Sequence, residues 1–297
     1  MNLQYVLWFL GSLVISLGLF AVMNRGKRVA VQCLLMGVLG TVLGIVLAKL
    51  VYYLAMIDFM IMYGWLDSLV DTTMGTFSYY GGVAGFCLGV ICSALITRQK
   101  PMAQLNAFAP AGLLLASLAR FGEIMLEGVG IRDMLYWEHP EHCFFPLAVS
   151  NEYGEWLYAV FMLEGLLTLG VFALCLWKLK EHRFLRSLFY LCLIQILCES
   201  LRSDSFTWLF VKVEQLICML GAVGVLLVYC LKTPGARRRW MPIVYCVPVA
   251  AVFVVLEFAL NGKIPLSKPL CYGVMIAGQA VLSLIEVKTF KRMMVKG

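Results

Sequence analysis

Long apolar segments alternate with polar connections along the whole chain. About 20 apolar residues cross a bilayer as a helix, and nine runs approach or exceed that length. They lie at 3–23, 29–53, 78–97, 105–127, 154–177, 184–201, 207–231, 241–260 and 270–287. The pattern predicts an all-α polytopic integral membrane protein with about nine transmembrane helices. Two connections, 55–77 and 128–153, are long enough to form structured loops.

Composition supports this interpretation and excludes several other classes of protein. Apolar residues make up 62% of the chain, charged residues only 14%, and the mean hydropathy is +0.88. A soluble domain is about half apolar and about a quarter charged. The balance therefore excludes a soluble enzyme, a disordered chain and a nucleic-acid-binding protein. The formal charge of the chain is +7. It implies no nucleic-acid partner, because most of the Lys and Arg residues lie in the connections between the apolar runs.

Basic residues concentrate in alternate connections, and this asymmetry predicts the orientation of the chain. Arg25 and Arg28 follow the first run, whereas Asp133 and Glu138 lie in a connection that is acidic on balance. Lys and Arg favour the cytoplasmic side of a membrane. We therefore expect the amino terminus outside, the carboxyl terminus in the cytoplasm, and both long loops on the outer face.

Small residues recur at helical spacing in the second and third runs. Gly40 and Gly44 are four residues apart, as are successive members of the set Gly81, Gly85 and Gly89. Such faces let two membrane helices approach closely, an interpretation we favour over a role in ligand approach. The spacing predicts a compact helical bundle.

Ionisable and amide side chains inside the apolar runs are the main candidates for function, because burying a charge in a bilayer is costly. Two sets share a helix face: Arg120, Glu123 and Glu127 in the fourth run, and Gln195, Glu199 and Arg202 in the sixth. Further intramembrane groups are Glu164, Lys212, Glu214 and Glu257. Two interpretations remain open. The charges form ion pairs near the outer surface, or they line a pocket for an anionic lipid head group, whose phosphate Arg binds in a bidentate fork.

A cluster of potential metal ligands lies in the second long loop. His139, His142 and Cys143 are closely spaced, but no second ligand pair stands at a recognised spacing. We interpret the cluster as a surface loop, and we expect no metal and no cofactor.

Four short motifs, in this order and spacing, resemble bacterial prolipoprotein diacylglyceryl transferase. They are Tyr-Tyr-Gly-Gly-Val-Ala-Gly at 79–85, Ala-Arg-Phe-Gly at 119–122, Leu-Tyr at 157–158 and Glu-Ser-Leu-Arg at 199–202. The resemblance covers roughly residues 77–228. It implies a multi-pass enzyme of the bacterial plasma membrane whose active face is extracytoplasmic. Such an enzyme moves the diacylglyceryl group of phosphatidylglycerol onto the lipobox Cys of a prolipoprotein signal peptide and releases glycerol phosphate.

The resemblance also implies roles for individual residues. Arg120 and Arg202 would bind the lipid phosphate, with Gln195 at the position of a further Arg, and we expect Glu123 and Tyr80 to be the catalytic residues. Positioning roles would fall to Glu199, Gly81, Gly82, Gly122 and Tyr158. The chain departs from the family pattern at three of these places: Tyr80 replaces a His, Glu123 an Asn and Gln195 an Arg. Because a phenol is a poor base at neutral pH, Glu123 is the first candidate for the proton acceptor.

The sequence predicts two domains and leaves other functions open. Residues 1–231 would form the seven-helix transferase-like bundle, and residues 232–297 an appended two-helix membrane hairpin. One alternative is a non-catalytic relative that binds membrane lipid or a lipoprotein. A small-solute transporter is the less favoured one, because no inverted repeat is visible.

Overall fold

Nine long helices dominate the computed structural model, which describes residues 3–26, 28–57, 77–126, 140–150, 154–202, 207–208, 211–233 and 240–296. The helices are α1 (Leu3–Met23), α2 (Val29–Ala55), α3 (Tyr79–Ile96), α4 (Pro101–Gly122), α5 (Val160–Trp177), α6 (Arg183–Ser200), α7 (Val213–Lys232), α8 (Met241–Leu260) and α9 (Lys268–Lys296). The short strands are β1 (Ala148–Ser150), β2 (Trp156–Tyr158), β3 (Thr207–Trp208) and β4 (Val211–Lys212). Most of the predicted loops 55–77 and 128–153 lies outside the described residues.

Eight of these nine helices are long and apolar enough to cross a membrane. The exception is α6, whose 18 residues include the charged side chains of Arg183, Arg186 and Glu199. The prediction of a helical, polytopic membrane protein is confirmed. The direction in which the chain crosses the bilayer stays a prediction.

The chain forms two compact units. The first unit contains residues 1–187 and 202–208, and the second contains residues 188–201 and 209–297. Helices α1 to α5 belong to the first unit, and α7 to α9 belong to the second. The division of the chain into domains after residue 231 stays a prediction.

Within the first unit, α2 and α3 pack with their backbones almost in contact. A Cβ atom on Gly85 would overlap the carbonyl of Leu43, and one on Gly89 would overlap the backbone of Gly40. Only glycine permits this approach, so the predicted close contact between small-residue faces is confirmed.

Two hydrogen bonds fix α4 between α1 and α5. The indole Nε1 of Trp8 donates to the carbonyl of Leu118 over 2.6 Å, and Ser117 Oγ donates to the carbonyl of Gly165 over 2.8 Å. In the apolar interior of a bundle such bonds hold one helix at a fixed height against its neighbours. They determine where the last turn of α4 lies.

Three predicted runs end earlier or begin later as helices. The seventh run was expected from residue 207, but α7 begins at Val213, after the short strands Thr207–Trp208 and Val211–Lys212. The fourth run was expected to continue to residue 127, but α4 ends at Gly122 and a 3-10 turn, Glu123–Met125, follows. The fifth run was expected from residue 154, but α5 begins at Val160, because Trp156–Tyr158 pairs in antiparallel register with Ala148–Ser150. Aromatic residues suit a strand as well as a membrane helix, so apolar content alone did not separate the two.

The second unit is held together by polar contacts between its helices. Gln215 Nε2 on α7 donates to Glu257 Oε1 on α8 over 2.7 Å. Gln279 Nε2 on α9 donates to the carbonyl of Leu193 on α6 over 2.8 Å. The hydroxyl of Tyr272 on α9 also donates to a carbonyl of α6, that of Ser200, over 3.3 Å.

Candidate functional site

Arg120 lies in the last turn of α4 with only 2% of its surface exposed. Its guanidinium lies over the ring of Tyr79, 3.5 Å from the ring centroid. The hydroxyl of Tyr79 donates to the carbonyl of Ala116 over 2.9 Å, which fixes the ring beneath the charge. Gly122, two residues after Arg120, leaves room for the indole of Trp8. A Cβ atom on Gly122 would overlap that indole. The predicted positioning role of Gly122 thus has a steric basis.

Two carboxylates neutralise Arg120. Glu123, in the turn after α4, forms a short ion pair with Arg120 Nη1. Glu164, on α5, places Oε1 at 2.8 Å from Arg120 Nη2. The side chain of Glu123 is 13% exposed and that of Glu164 only 1%. Glu123 is therefore the more accessible of the two.

Glu164 joins both arginines that the sequence assigned to a lipid phosphate. Its second oxygen, Oε2, accepts a hydrogen bond from Arg202 Nη2 over 3.2 Å. Arg202 lies just beyond the end of α6. The sequence identified Glu164 as an intramembrane carboxylate without giving it a role. The sequence feature that marks Glu164 is its position as a single acidic residue in the first turns of an otherwise apolar run.

Tyr80 also contacts this carboxylate. Its hydroxyl donates to Glu164 Oε1 over 3.3 Å, and the residue is 8% exposed. The first turn of α3 is capped because Ser78 Oγ accepts from the amide of Gly81. A Cβ atom on Gly81 would lie 2.7 Å from the carbonyl of Leu47, whereas one on Gly82 would make only an ordinary contact. The structure thus supplies a packing reason for Gly81 but none for Gly82.

The cluster of Arg120, Glu123, Glu164 and Arg202 has two positive and two negative charges, so its formal charge is zero. Two donors of Arg120 are nevertheless without a hydrogen-bond acceptor among the described residues: Nε and Nη2. Nη2 forms an ion pair with Glu164 Oε1, whereas Nε has no partner of either kind among the described residues. A buried donor left unsatisfied costs about 1–3 kcal/mol. An acceptor beside Nε would remove this cost.

Gln195 and Glu199 belong to the second unit. Gln195 Nε2 donates to Glu199 Oε2 over 2.8 Å and to Glu214 Oε2 over 2.9 Å, and Lys212 Nζ donates to the carbonyl of Glu199 over 2.6 Å. Gln195, Glu199 and Glu214 are all buried. The amide of Gln195 therefore holds two carboxylates apart in this structure. Its assignment to a lipid phosphate stays a prediction.

The sequence also singled out Tyr158, Glu127 and His139. Tyr158 lies in β2, opposite Ala148 in the two-stranded sheet. Glu127 and His139 lie outside the described residues. Among the residues that are described, no group of three or more His, Cys, Asp or Glu side chains is placed to hold a metal ion.

Comparison with known protein families identifies a match. The model of the prolipoprotein diacylglyceryl transferase family matches residues 4–231, well over half of the chain. The matched range includes Arg120, Glu123, Glu164 and Arg202. A search of curated proteins finds no match.

Proposed function

This chain belongs to the prolipoprotein diacylglyceryl transferase family, and from that premise we propose its donor, its acceptor and its site. The donor is phosphatidylglycerol, the acceptor is the lipobox cysteine of a prolipoprotein signal peptide, and the products are a thioether-linked diacylglyceryl group and glycerol phosphate. The reaction takes place at the extracytoplasmic face of the bacterial plasma membrane. The observation that carries the proposal is the pair of arginines, Arg120 and Arg202, which contact the two oxygens of the buried carboxylate of Glu164.

Arg120 and Arg202 bind the phosphate of the donor lipid. Arg120 Nε has no hydrogen-bond acceptor among the described residues, and guanidinium groups match phosphate oxygens with parallel hydrogen bonds. A charge-assisted hydrogen bond contributes about 1.5–3 kcal/mol. In a buried site these fixed donors stabilise the charge that grows on the phosphate as it departs, without reorganisation of solvent.

Binding of the phosphate releases a base. Glu123 pairs with Arg120 in the absence of lipid, and the arriving phosphate competes for the same guanidinium. Glu123 is the more accessible carboxylate and lies on a 3-10 turn, so it is the partner that gives way. Once free of Arg120, it accepts the proton of the substrate thiol. Glu164 stays between the two arginines and keeps them in place.

The chemical step then balances as follows. The thiolate sulfur attacks the glycerol carbon that bears the phosphate ester, and a carbon–sulfur bond forms while the carbon–oxygen bond breaks. The electron pair of the broken bond stays on the ester oxygen, so glycerol phosphate leaves between Arg120 and Arg202. The proton held by Glu123 passes to the leaving phosphate or to water.

A non-catalytic, lipid-binding relative is the second candidate function. It is favoured by two observations at positions where the chain departs from the family pattern. The hydroxyl of Tyr80 is engaged with Glu164, and the amide of Gln195 is engaged with two carboxylates. Neither group is placed to do the chemistry of the residue that it replaces.

Mass spectrometry of a lipobox peptide distinguishes the two candidates. The purified chain is incubated with the peptide and phosphatidylglycerol beside a typical family enzyme as positive control. We expect a diacylglyceryl adduct on the cysteine, its loss in Arg120→Ala, and its persistence in Arg292→Ala. Arg292 is the matched control, because it is an exposed arginine on α9. No adduct from a preparation that still retains phosphatidylglycerol would favour the lipid-binding relative.

A further inference from the structure

A second polar site lies in the first unit, at the opposite end of α4 from Arg120. There the end of α1, the start of α2 and the start of α4 enclose a cleft of about 540 Å³. Its polar lining residues are Asn24, Arg25, Arg28, Gln32, Gln99 and Gln104. Gln104 and Arg120 are 16 positions apart on α4, which corresponds to about 24 Å along the axis. The cleft is therefore separate from the cluster around Glu164.

The cleft has a charged rim and a polar floor. Arg25 and Arg28 are exposed at its rim. The amides of Gln32 and Gln104 form its floor, where they are 5% and 2% exposed. Apolar contacts below them, including Phe20 on α1, complete the wall. A volume of this size is typical of small-molecule sites.

One floor residue carries an unsatisfied polar atom. Gln104 Nε2 donates to Ser93 Oγ over 3.3 Å, but Gln104 Oε1 has no hydrogen-bond partner among the described residues. Buried polar atoms are nearly always paired, so an unpaired one in a cleft indicates a missing ligand or solvent partner. As an acceptor, Oε1 requires an O–H or N–H donor, such as the hydroxyl of a ligand.

We propose that this cleft binds a phosphoglycerol group. Arg25 and Arg28 bind the phosphate oxygens, and Gln104 Oε1 accepts a hydrogen bond from a glycerol hydroxyl. Guanidinium groups bind phosphate with parallel donors, and the buried amide of Gln104 contacts the uncharged end of the same ligand. The basic pair after α1 thus does more than orient the chain in the membrane. The same group occurs as the head group of phosphatidylglycerol and as free glycerol phosphate.

Native mass spectrometry of the full chain tests the cleft. Phosphatidylglycerol is titrated into mixed micelles of detergent and phosphatidylcholine, and the retained molecules of phosphatidylglycerol are counted. The double variant R25Q/R28Q removes the rim charges, and A103W fills the cleft from an exposed lining position without removing a polar group. The matched control is K291Q/R292Q, which removes two exposed positive charges from α9.

We expect R25Q/R28Q and A103W each to retain one phosphatidylglycerol fewer than the control, with affinity at that site about tenfold weaker. Arg120→Ala should remove a different molecule, so its combination with R25Q/R28Q should lose both. If Arg120→Ala alone has no effect, the donor-site proposal fails and the cleft proposal stands. If A103W does not fold, R25Q/R28Q decides, because both of its positions are exposed.

A second titration with free glycerol phosphate identifies the source of the group. Displacement of the retained lipid by glycerol phosphate, or binding of glycerol phosphate alone that R25Q/R28Q abolishes, assigns the cleft to the soluble ester. Retention of the lipid against excess glycerol phosphate assigns it to the lipid head group. Equal binding of both probes to R25Q/R28Q and to K291Q/R292Q would overturn the proposal.

Discussion

Glu164→Gln removes the charge that joins the two arginines while keeping the shape of the side chain. In the wild type Glu164 lies 2.8 Å from Arg120 Nη2 and 3.2 Å from Arg202 Nη2, and its side chain is 1% exposed. The substitution changes the formal charge of the cluster from zero to one positive charge. It removes the ion pairs of Glu164 with the buried Arg120 and with Arg202, whose side chain is 13% exposed, and leaves Glu123 as the remaining carboxylate of the cluster.

The expected effect on stability is large. With an effective dielectric constant of about 20, Coulomb's law gives a gross attraction of about 6 kcal/mol at 2.8 Å and about 5 kcal/mol at 3.2 Å. Desolvation offsets much of this, and removal of one partner of a buried pair costs about 3–5 kcal/mol in measured cases. For a chain of this size that corresponds to a fall in the unfolding midpoint of roughly 6–20 °C.

Thermal unfolding in detergent, with and without phosphatidylglycerol, is the assay. Glu257→Gln is the matched control, because an amide oxygen can still accept the hydrogen bond from Gln215. We expect a large fall in the midpoint for Glu164→Gln and almost none for the control. Phosphatidylglycerol should raise the midpoint of Glu164→Gln more than that of the wild type, since binding to the folded state stabilises it and the site has gained positive charge. Equal midpoints for the two variants, or no lipid-dependent rescue, would refute the reasoning.

Three further predictions concern the same bundle. Gly85→Ala should lower the free energy of unfolding by about 1–3 kcal/mol through overpacking against α2. Gly11→Ala is the control and should not lower it, because the space around Gly11 is open. Equal thermal midpoints for the two variants would contradict the close contact between α2 and α3. Arg120→Lys should retain phosphatidylglycerol about tenfold less well in native mass spectrometry, because an ammonium lacks the planar fork, and full retention would contradict bidentate binding. Glu123→Gln should bind the lipid more tightly but transfer the diacylglyceryl group more slowly, which separates KM from kcat, and an unchanged transfer rate would remove Glu123 as the base.

Much of the bundle follows from the sequence because a bilayer leaves the backbone few options. Apolar runs must satisfy their own hydrogen bonds, so length and hydropathy identify the helices. The contact between Arg120 and Glu123 also follows, since residues three apart lie on one helix face. The close approach of α2 and α3 is visible in advance as a row of glycines, because only small residues permit it.

The rest depends on tertiary contacts that no local pattern encodes. Glu164 and Arg202 are 38 positions apart, and the sequence marks each as an intramembrane charge without indicating its partner. Gln195 was grouped with the phosphate ligands by its place in a motif, yet its Nε2 donates to Glu199 and Glu214. Local spacing indicates which side of a helix a residue occupies, whereas the partner across the bundle depends on how the helices pack.

Localisation of the donor phosphate tests the central claim most directly. A cryo-electron microscopy map of the full chain in nanodiscs that contain phosphatidylglycerol would show where the head group binds. We predict a phosphate with oxygens about 3 Å from guanidinium nitrogens of both Arg120 and Arg202, with Glu123 displaced from Arg120 and Glu164 still between the arginines. A lipid phosphate bound elsewhere, while Arg120 remains paired with both Glu123 and Glu164, would contradict the account.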